Sequence, residues 1–343
     1  MRLGVILMAA AILTETTMAA PGIRYAKGLK VPADADYGVP FLSWDSREGD
    51  LPAKYDLRDE GLVTPVRNQA SCGSCWAFAG VAAMESAMLK VNPTPLDLSE
   101  QEVVSCDNNS SGCGGGWQPF DYMISHGVGS EVDFPYAARD LRCKNITPVA
   151  KALKWGNIGI AGRRATVNEA RKALVDFGAL WITVGANSNW SNAGGVITRC
   201  ANTRINHAVT LAGFETTGEG DHAKTQFLIK NSWGSNWADK GYVKTALGCN
   251  NLGSHLSFVV PATSECAPPE FGLPKKIKLT RGDNIVPVPG LDRAGMEYTW
   301  YKVGGRVEGE GPIEVNSGEN VDYVVRTRNT CGTWTQMVRI NSK

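Results

Sequence analysis

Cys72 and Cys75 sit three positions apart within the run Gln69-Ala70-Ser71-Cys72-Gly73-Ser74-Cys75-Trp76-Ala77-Phe78. Two thiols at that spacing can be half of a zinc site, a redox pair, or a catalytic thiol with a neighbour. Zinc asks for a second close pair of Cys or His ligands, and none follows at convincing spacing. A redox pair belongs at the head of a βαβ unit, which the preceding Leu62–Arg67 segment suggests only weakly. In the third reading the thiol lies in the first turn of a helix, where unpaired N–H groups and the helix dipole favour thiolate over thiol. These residues alone favour the third reading and leave the other two open.

The elements around the pair fit that reading. Cys75 to Lys90 is alanine-rich, with apolar residues at i, i+3 and i+4, and predicts a helix. Ser99 followed by Glu102 predicts a capping box opening a second helix. Trp181–Val184, Ala208–Phe214 and Phe227–Ile229 are short apolar runs that predict buried strands. A chain of 343 residues is long enough for about two domains. With 43% apolar residues and a net charge of +1, it is expected to fold rather than stay disordered. The near balance of 35 Lys+Arg with 34 Asp+Glu argues against nucleic acid or an anionic membrane as a partner. Nine cysteines is an odd number, which in an oxidising compartment implies four bridges and one free thiol.

From Leu51 to about Val260 the chain resembles the papain family of cysteine peptidases. The matching motifs run in the family's order: Val63-Thr64-Pro65-Val66-Arg67-Asn68-Gln69, the Cys72–Phe78 run, Leu98-Ser99-Glu100-Gln101-Glu102, Gly112-Cys113-Gly114-Gly115-Gly116, Phe134-Pro135-Tyr136, Asn206-His207-Ala208-Val209, and Asn231-Ser232-Trp233-Gly234 before Gly241-Tyr242. The resemblance implies an α+β fold of two lobes, a helical left and a β-barrel-like right, with the active site between them. It makes Cys75 the nucleophile and His207 its base and later acid. Asn231 would orient the imidazole, and Trp233 would shield that bond and meet leaving-group side chains. The side chain of Gln69 and the backbone N–H of Cys75 would form the oxyanion hole. Ala70 stands where the family usually has glycine. Of the four histidines, only His207 lies in a matching motif, so His126, His222 and His255 are expected to be surface or packing residues.

The resemblance further implies that Gly115 and Gly116 pair with an extended peptide backbone. Trp117, Thr183 and Ala208 would wall a pocket suited to apolar or aromatic side chains, with Asn206 beside them. The floor of that pocket aligns ambiguously over Gly248–Ser254, and Ser254 is the nearest candidate. The family pattern implies the bridges Cys72–Cys113, Cys106–Cys143 and Cys200–Cys249, each contributing about 2–4 kcal/mol. Cys266 and Cys331 remain to close a C-terminal module. No metal and no cofactor is implied.

Four spans result: a signal peptide over 1–20, a short prosegment over 21–50, the peptidase over 51–262, and a linker with a small all-β, sandwich-like module over 263–343. The first span has Arg2, the apolar run Leu3–Leu13 and small residues at Ala19 and Ala20. That run is too short to cross a membrane, and no second stretch approaches a span. The prosegment carries Pro and Gly without helical period, unlike the helical pro-domain usual in the family, and is expected to lie extended through the cleft and block it. The function implied is a monomeric cysteine endopeptidase, exported to the extracellular space or to another oxidising compartment of lysosomal or periplasmic type. Protein or peptide substrates and protein inhibitors are its expected partners. An exopeptidase would need a block at one end of the cleft, and no long insertion between Cys106 and Gly114 supplies one. A non-catalytic binding protein would have no use for Cys75, His207, Asn231 and Gln69 together.

Overall fold

The structure, a computed structural model, describes residues 25–44, 51–218, 224–262, 276–279, 298–303, 307–310, 320–329 and 332–342. The expected signal peptide and the expected Cys266–Cys331 bridge lie outside the described residues. The strands are β1 (Pro40–Ser43), β2 (Lys54–Asp56), β3 (Ala152–Ile158), β4 (Leu180–Val184), β5 (His207–Thr217), β6 (Lys224–Lys230), β7 (Tyr242–Thr245), β8 (Leu256–Pro261), β9 (Lys276–Leu279), β10 (Tyr298–Lys302), β11 (Val307–Glu310), β12 (Asn320–Asn329) and β13 (Gly332–Ser342). The helices are α1 (Cys75–Val91), α2 (Glu100–Cys106), α3 (Phe120–Ser125), α4 (Val167–Phe177) and α5 (Ser188–Ser191).

Two apolar clusters form two lobes. One gathers α1, α2 and α3 around Trp76, Met84, Val103 and Phe120. The other lies on the sheet around Leu180, Leu211, Phe227 and Phe258. Helix α1 is buried almost all round, from Cys75 to Leu89, as expected of a helix rich in alanine that sits between two layers rather than on a surface. It packs on β5, β8 and β4, and the Trp181 indole N–H donates to the Trp76 carbonyl at 3.2 Å. The helix that opens with Cys75 is thereby fixed to the sheet.

Helix α2 begins at the predicted Ser99, whose hydroxyl accepts the Glu102 N–H at 2.9 Å. Only this half of the capping box forms. The Glu102 carboxylate turns away to accept the Gly129 N–H at 2.6 Å and the Tyr122 hydroxyl at 3.1 Å, while the Ser99 N–H donates to the Gly129 carbonyl. A neighbouring loop competes successfully for both groups. A complete box occurs instead at Thr166 and Glu169, opening α4.

The strands form one sheet in the order β11-β10-β12-β13-β1-β3-β8-β4-β5-β6-β7, with β2 on β5 and β9 on β13. The C-terminal strands are mostly sheet, as expected, and join the peptidase sheet edge to edge through β1. Register places the chemistry: β4 and β5 pair antiparallel with Val184 opposite His207, and β5 and β6 pair with Thr210 opposite Lys230. The first residue of β5 and the residue following β6, His207 and Asn231, therefore lie at the same end of adjacent strands. All three family bridges are formed: Cys72–Cys113, Cys106–Cys143 and Cys200–Cys249.

Candidate active site

Cys75 is the first residue of α1 and is fully buried. With Cys72 bonded to Cys113, it is the free cysteine among the described residues, which excludes a Cys72–Cys75 dithiol or zinc half-site in this state. Its Sγ accepts the Ala208 N–H at 3.5 Å and the Gly28 N–H at 3.3 Å. Burial pushes the thiol up to about 11, against the pull of those backbone N–H groups.

His207 and Asn231 meet at 2.9 Å, Nε2 to Oδ1. That same Oδ1 accepts the Ser232 N–H at 2.8 Å, so it is the amide's acceptor end and Nε2 carries the hydrogen. A neutral imidazole then has its lone pair on Nδ1, which is buried without a hydrogen-bond partner. Burial pushes His207 down to about 4, opposed by the Asn231 bond and assisted by the Lys27 charge. Trp233 stacks on the imidazole with ring centres 4.7 Å apart, and Trp237 meets Trp233 edge-on at 5.3 Å. The pair is covered on that side by the two indoles.

Gln69 is fully buried and held at both ends. Its Oε1 accepts the Ser232 hydroxyl at 2.6 Å, while its Nε2 donates to the Cys72 carbonyl at 2.9 Å. The Gln69 carbonyl accepts the Tyr136 hydroxyl at 2.9 Å, and Tyr136 also bonds the Ser74 hydroxyl at 2.7 Å. The motifs alone assign Ser232 and Tyr136 no role; their contacts with Gln69 make them its supports. Ala70 has φ 51°, the left-handed conformation that favours glycine, which accounts for the family's usual residue. Its N–H finds the Asn68 Oδ1 at 2.9 Å.

Of the residues expected to bind substrate, Gly116, Asn206 and Trp233 contact the chain's own N-terminal segment. The Gly116 N–H donates to the Gly28 carbonyl and the Lys30 N–H to the Gly116 carbonyl, both at 2.9 Å, in a parallel bridge. Gly115 permits this approach, since a Cβ there would stand 2.5 Å from the Gly28 carbonyl oxygen, while Gly116 lets the strip pack on Trp76, whose ring a Cβ would meet at 2.6 Å. The Leu29 N–H donates to the Asn206 carbonyl at 3.2 Å. Tyr25 stacks on Trp233 at 4.5 Å, and the Trp233 indole donates to the Ala26 carbonyl at 3.3 Å.

Leu29 and Trp117, both partly buried, pack against the apolar cluster that includes Trp181 and Ala208. Trp117 meets Trp181 edge-on at 5.0 Å and the His255 ring at 4.9 Å. While Ser254 bonds back to the Asn251 carbonyl at 3.0 Å, the ring beside Trp117 belongs to His255, which the sequence places among surface and packing residues. Thr183 is fully buried and supports it, accepting the His255 N–H at 3.0 Å. The His255 Nε2 lies 3.5 Å from the Asp36 carboxylate of the N-terminal segment. Burial lowers the His255 pKa, with Arg164 adding to the shift and Asp36 opposing it. The ambiguity in the alignment concealed this residue, and the nearby Asp36 could be found only in three dimensions.

Residues 51–261 match the family model described as papain family cysteine protease. Mouse cathepsin K is 34% identical over 238 residues, covering 67% of this chain and 70% of that protein. The structure of digestive procathepsin L2 from Tenebrio molitor larval midgut superposes with a TM-score of 0.61 at 29% identity, covering 69% of this chain and 78% of that one. Bromelain from Ananas comosus, solved in complex with the E64 inhibitor, gives a TM-score of 0.54 at 30% identity, covering 61% of this chain and 99% of that one. With a free thiol opening a central helix, a histidine–asparagine pair beside it and this match, the chain belongs to the papain family of cysteine peptidases.

Proposed function

We propose that the protein is an exported endopeptidase held latent by residues 25–30. The observation that carries the reading is the Gly28 N–H against the Cys75 sulfur, 3.3 Å away. The group facing the nucleophile is an N–H, not a carbonyl carbon, so the segment blocks the thiol without offering it an electrophile. Covering the site also disfavours charge separation, since burial raises Cys75 and lowers His207.

With the segment gone, the Cys75 proton passes to His207 Nδ1 and the thiolate attacks a peptide carbonyl carbon. The oxyanion is received by the Gln69 Nε2–H and the Cys75 backbone N–H. The C–N bond breaks as His207 returns the proton to the leaving amine, giving a thioester. Water, deprotonated by His207, then adds to the acyl carbon, and the Cys75 sulfur leaves with that proton. Asn231 holds the imidazole in the required tautomer throughout. The expected pocket at Trp117 and Ala208, with the His255 ring beside Trp117, suits an apolar or aromatic side chain. Three disulfides support export to an oxidising compartment; among the described residues no helix is long and apolar enough to cross a membrane.

E64, the inhibitor bound to bromelain, tests the reading. It should label Cys75 slowly in the full chain and rapidly once residues up to 30 are removed, with peptide hydrolysis rising in step. Absence of labelling and hydrolysis in both forms would leave a non-catalytic protein with a peptidase fold.

Two further outcomes follow from the same geometry. Gln69→Ala in the unblocked enzyme should lower kcat by about 10²–10³-fold with a smaller change in KM, as for loss of one oxyanion donor; steady-state kinetics on a peptide substrate checks it. Covering should also show in the titration of the thiol. Burial pushes Cys75 up to about 11 in the covered chain, so its alkylation by iodoacetamide should climb only towards alkaline pH, whereas the unblocked chain, with His207 holding the proton, should react already near neutral pH. Coincident pH–rate profiles for the two chains would count against this.

A further inference from the structure

The N-terminal segment consists of two parts with different attachments. Residues 25–30 touch the cleft through Tyr25, Ala26, Gly28, Leu29 and Lys30, chiefly by backbone bonds to Gly116 and Asn206 and by ring contact with Trp233. Strand β1, ten residues further on, is interior to the sheet. It pairs antiparallel with β13, Phe41 opposite Thr335, and parallel with β3, Phe41 opposite Asn157. Leu42 is 0% and Phe41 5% exposed. Leu42 joins the core cluster of the peptidase lobe with Ile158, and Phe41 packs with Ala161, Val324 and Met337.

Just before β1, Tyr37 is gripped by the C-terminal module. Its hydroxyl donates to Asp322 Oδ2 at 2.5 Å and accepts from Arg339 Nη2 at 2.5 Å, with the Arg339 guanidinium 4.8 Å over its ring. The Gly38 N–H donates to the Met337 carbonyl at 2.8 Å. Between the two parts, Lys30 and Ala33 are exposed and Val31 is 41% exposed, leading into a turn closed by the Tyr37 N–H on the Asp34 carbonyl at 3.0 Å. Exposed turn tips with small residues are where peptidases gain access.

We infer that maturation cuts the chain between Lys30 and Asp34, freeing the cleft, while Tyr37–Trp44 remains in the mature enzyme as the strand that ties the C-terminal module to the peptidase. This rests on the proposed latency. The cut is ordinary hydrolysis by a peptidase, in the simplest case an unblocked second copy. One C–N bond breaks, and water supplies OH to the new carboxyl group and H to the new amine. A cut just before Leu51, where the family match begins, would not have this effect. It would leave β1 held by ladders on both sides, with residues 25–30 still joined to it; loss of β1 would expose the edges of β3 and β13 and the Leu42 side chain.

The test uses two full-length proteins, each carrying the recognition sequence of an unrelated site-specific protease, one in place of residues 31–33 and the other in place of residues 46–49. Both are cut after folding. The first cut should raise E64 labelling of Cys75 at least tenfold and leave the thermal midpoint unchanged; the second should leave labelling slow, with residues up to 45 co-eluting with the enzyme. Fast labelling after the second cut, or slow labelling after the first, overturns the inference while latency stands. Fast labelling before any cut overturns the latency reading itself. The N-terminus of the naturally matured chain, read by mass spectrometry, should fall between Val31 and Asp34, and a start at Leu51 would count against the inference.

Discussion

Gly28→Val should raise the rate at which E64 labels Cys75 in the full chain by roughly 10- to 100-fold, converting a latent protein into an accessible one without any cleavage. The reason is local and steric. A Cβ at position 28 would stand 1.7 Å from the Gly73 carbonyl oxygen and 2.2 Å from its carbon, both backbone atoms. Gly73 cannot yield, because Cys72 beside it is bonded to Cys113 and its own N–H donates to the Cys113 carbonyl at 3.0 Å. The segment must therefore lift, and the Gly28 N–H leaves the sulfur. Ala33→Ser, on the exposed link, should leave the labelling rate as it is. Equal rates for the Gly28 variant and the unmodified chain would mean that the segment does not limit access.

His207→Ala in the unblocked enzyme should reduce peptide hydrolysis on the order of 10³–10⁴-fold, with E64 labelling falling in parallel. The thiol would lose the acceptor for its proton and the electrostatic partner of the thiolate, and the leaving amine would lose its proton donor. Asn231→Ala should cost less, since it removes the Nε2 partner and leaves the ring in place against Trp233. Kinetics at several pH values separates the two: the alanine at 207 should lose the pH dependence that belongs to the imidazole, whereas the alanine at 231 should retain a shifted form of it. A circular dichroism melt of each variant distinguishes lost chemistry from lost folding.

Much of this site was legible before any coordinates because its parts depend on local sequence. The start of α1 at Cys75 and the buried runs that became β4, β5 and β6 follow from spacing and propensity, whereas the role of Gly115 and Gly116 came with the resemblance. The bridge partners were implied only by resemblance, and the motifs around Gln69, His207 and Asn231 carried their roles the same way. What escaped depends on groups far apart in the chain. The Ser232 hydroxyl reaches Gln69 only because the two backbones run alongside one another. His255 was passed over because the loop before it aligns ambiguously and its position against Trp117 is tertiary. The half-formed capping box at Ser99 had the right residues, but the Gly129 loop offered Glu102 a better-placed donor. Strand β1 had the plainest sequence of all; its importance lies in β3 and β13, which come more than a hundred residues later.

The seated Gly28 has a consequence for how the folded chain keeps its remaining thiol. Eight of the nine cysteines are assigned to pairs by the expected pattern, and thiol–disulfide exchange proceeds through thiolate, so any ionised leftover thiol is a source of wrong pairs. With the segment in place, Cys75 is fully buried and pushed up to about 11, leaving almost no thiolate at neutral pH. In the latent form proposed above, the same six residues would thus act as a protecting group, in the synthetic chemist's sense, on the one sulfur without a disulfide partner among the described residues.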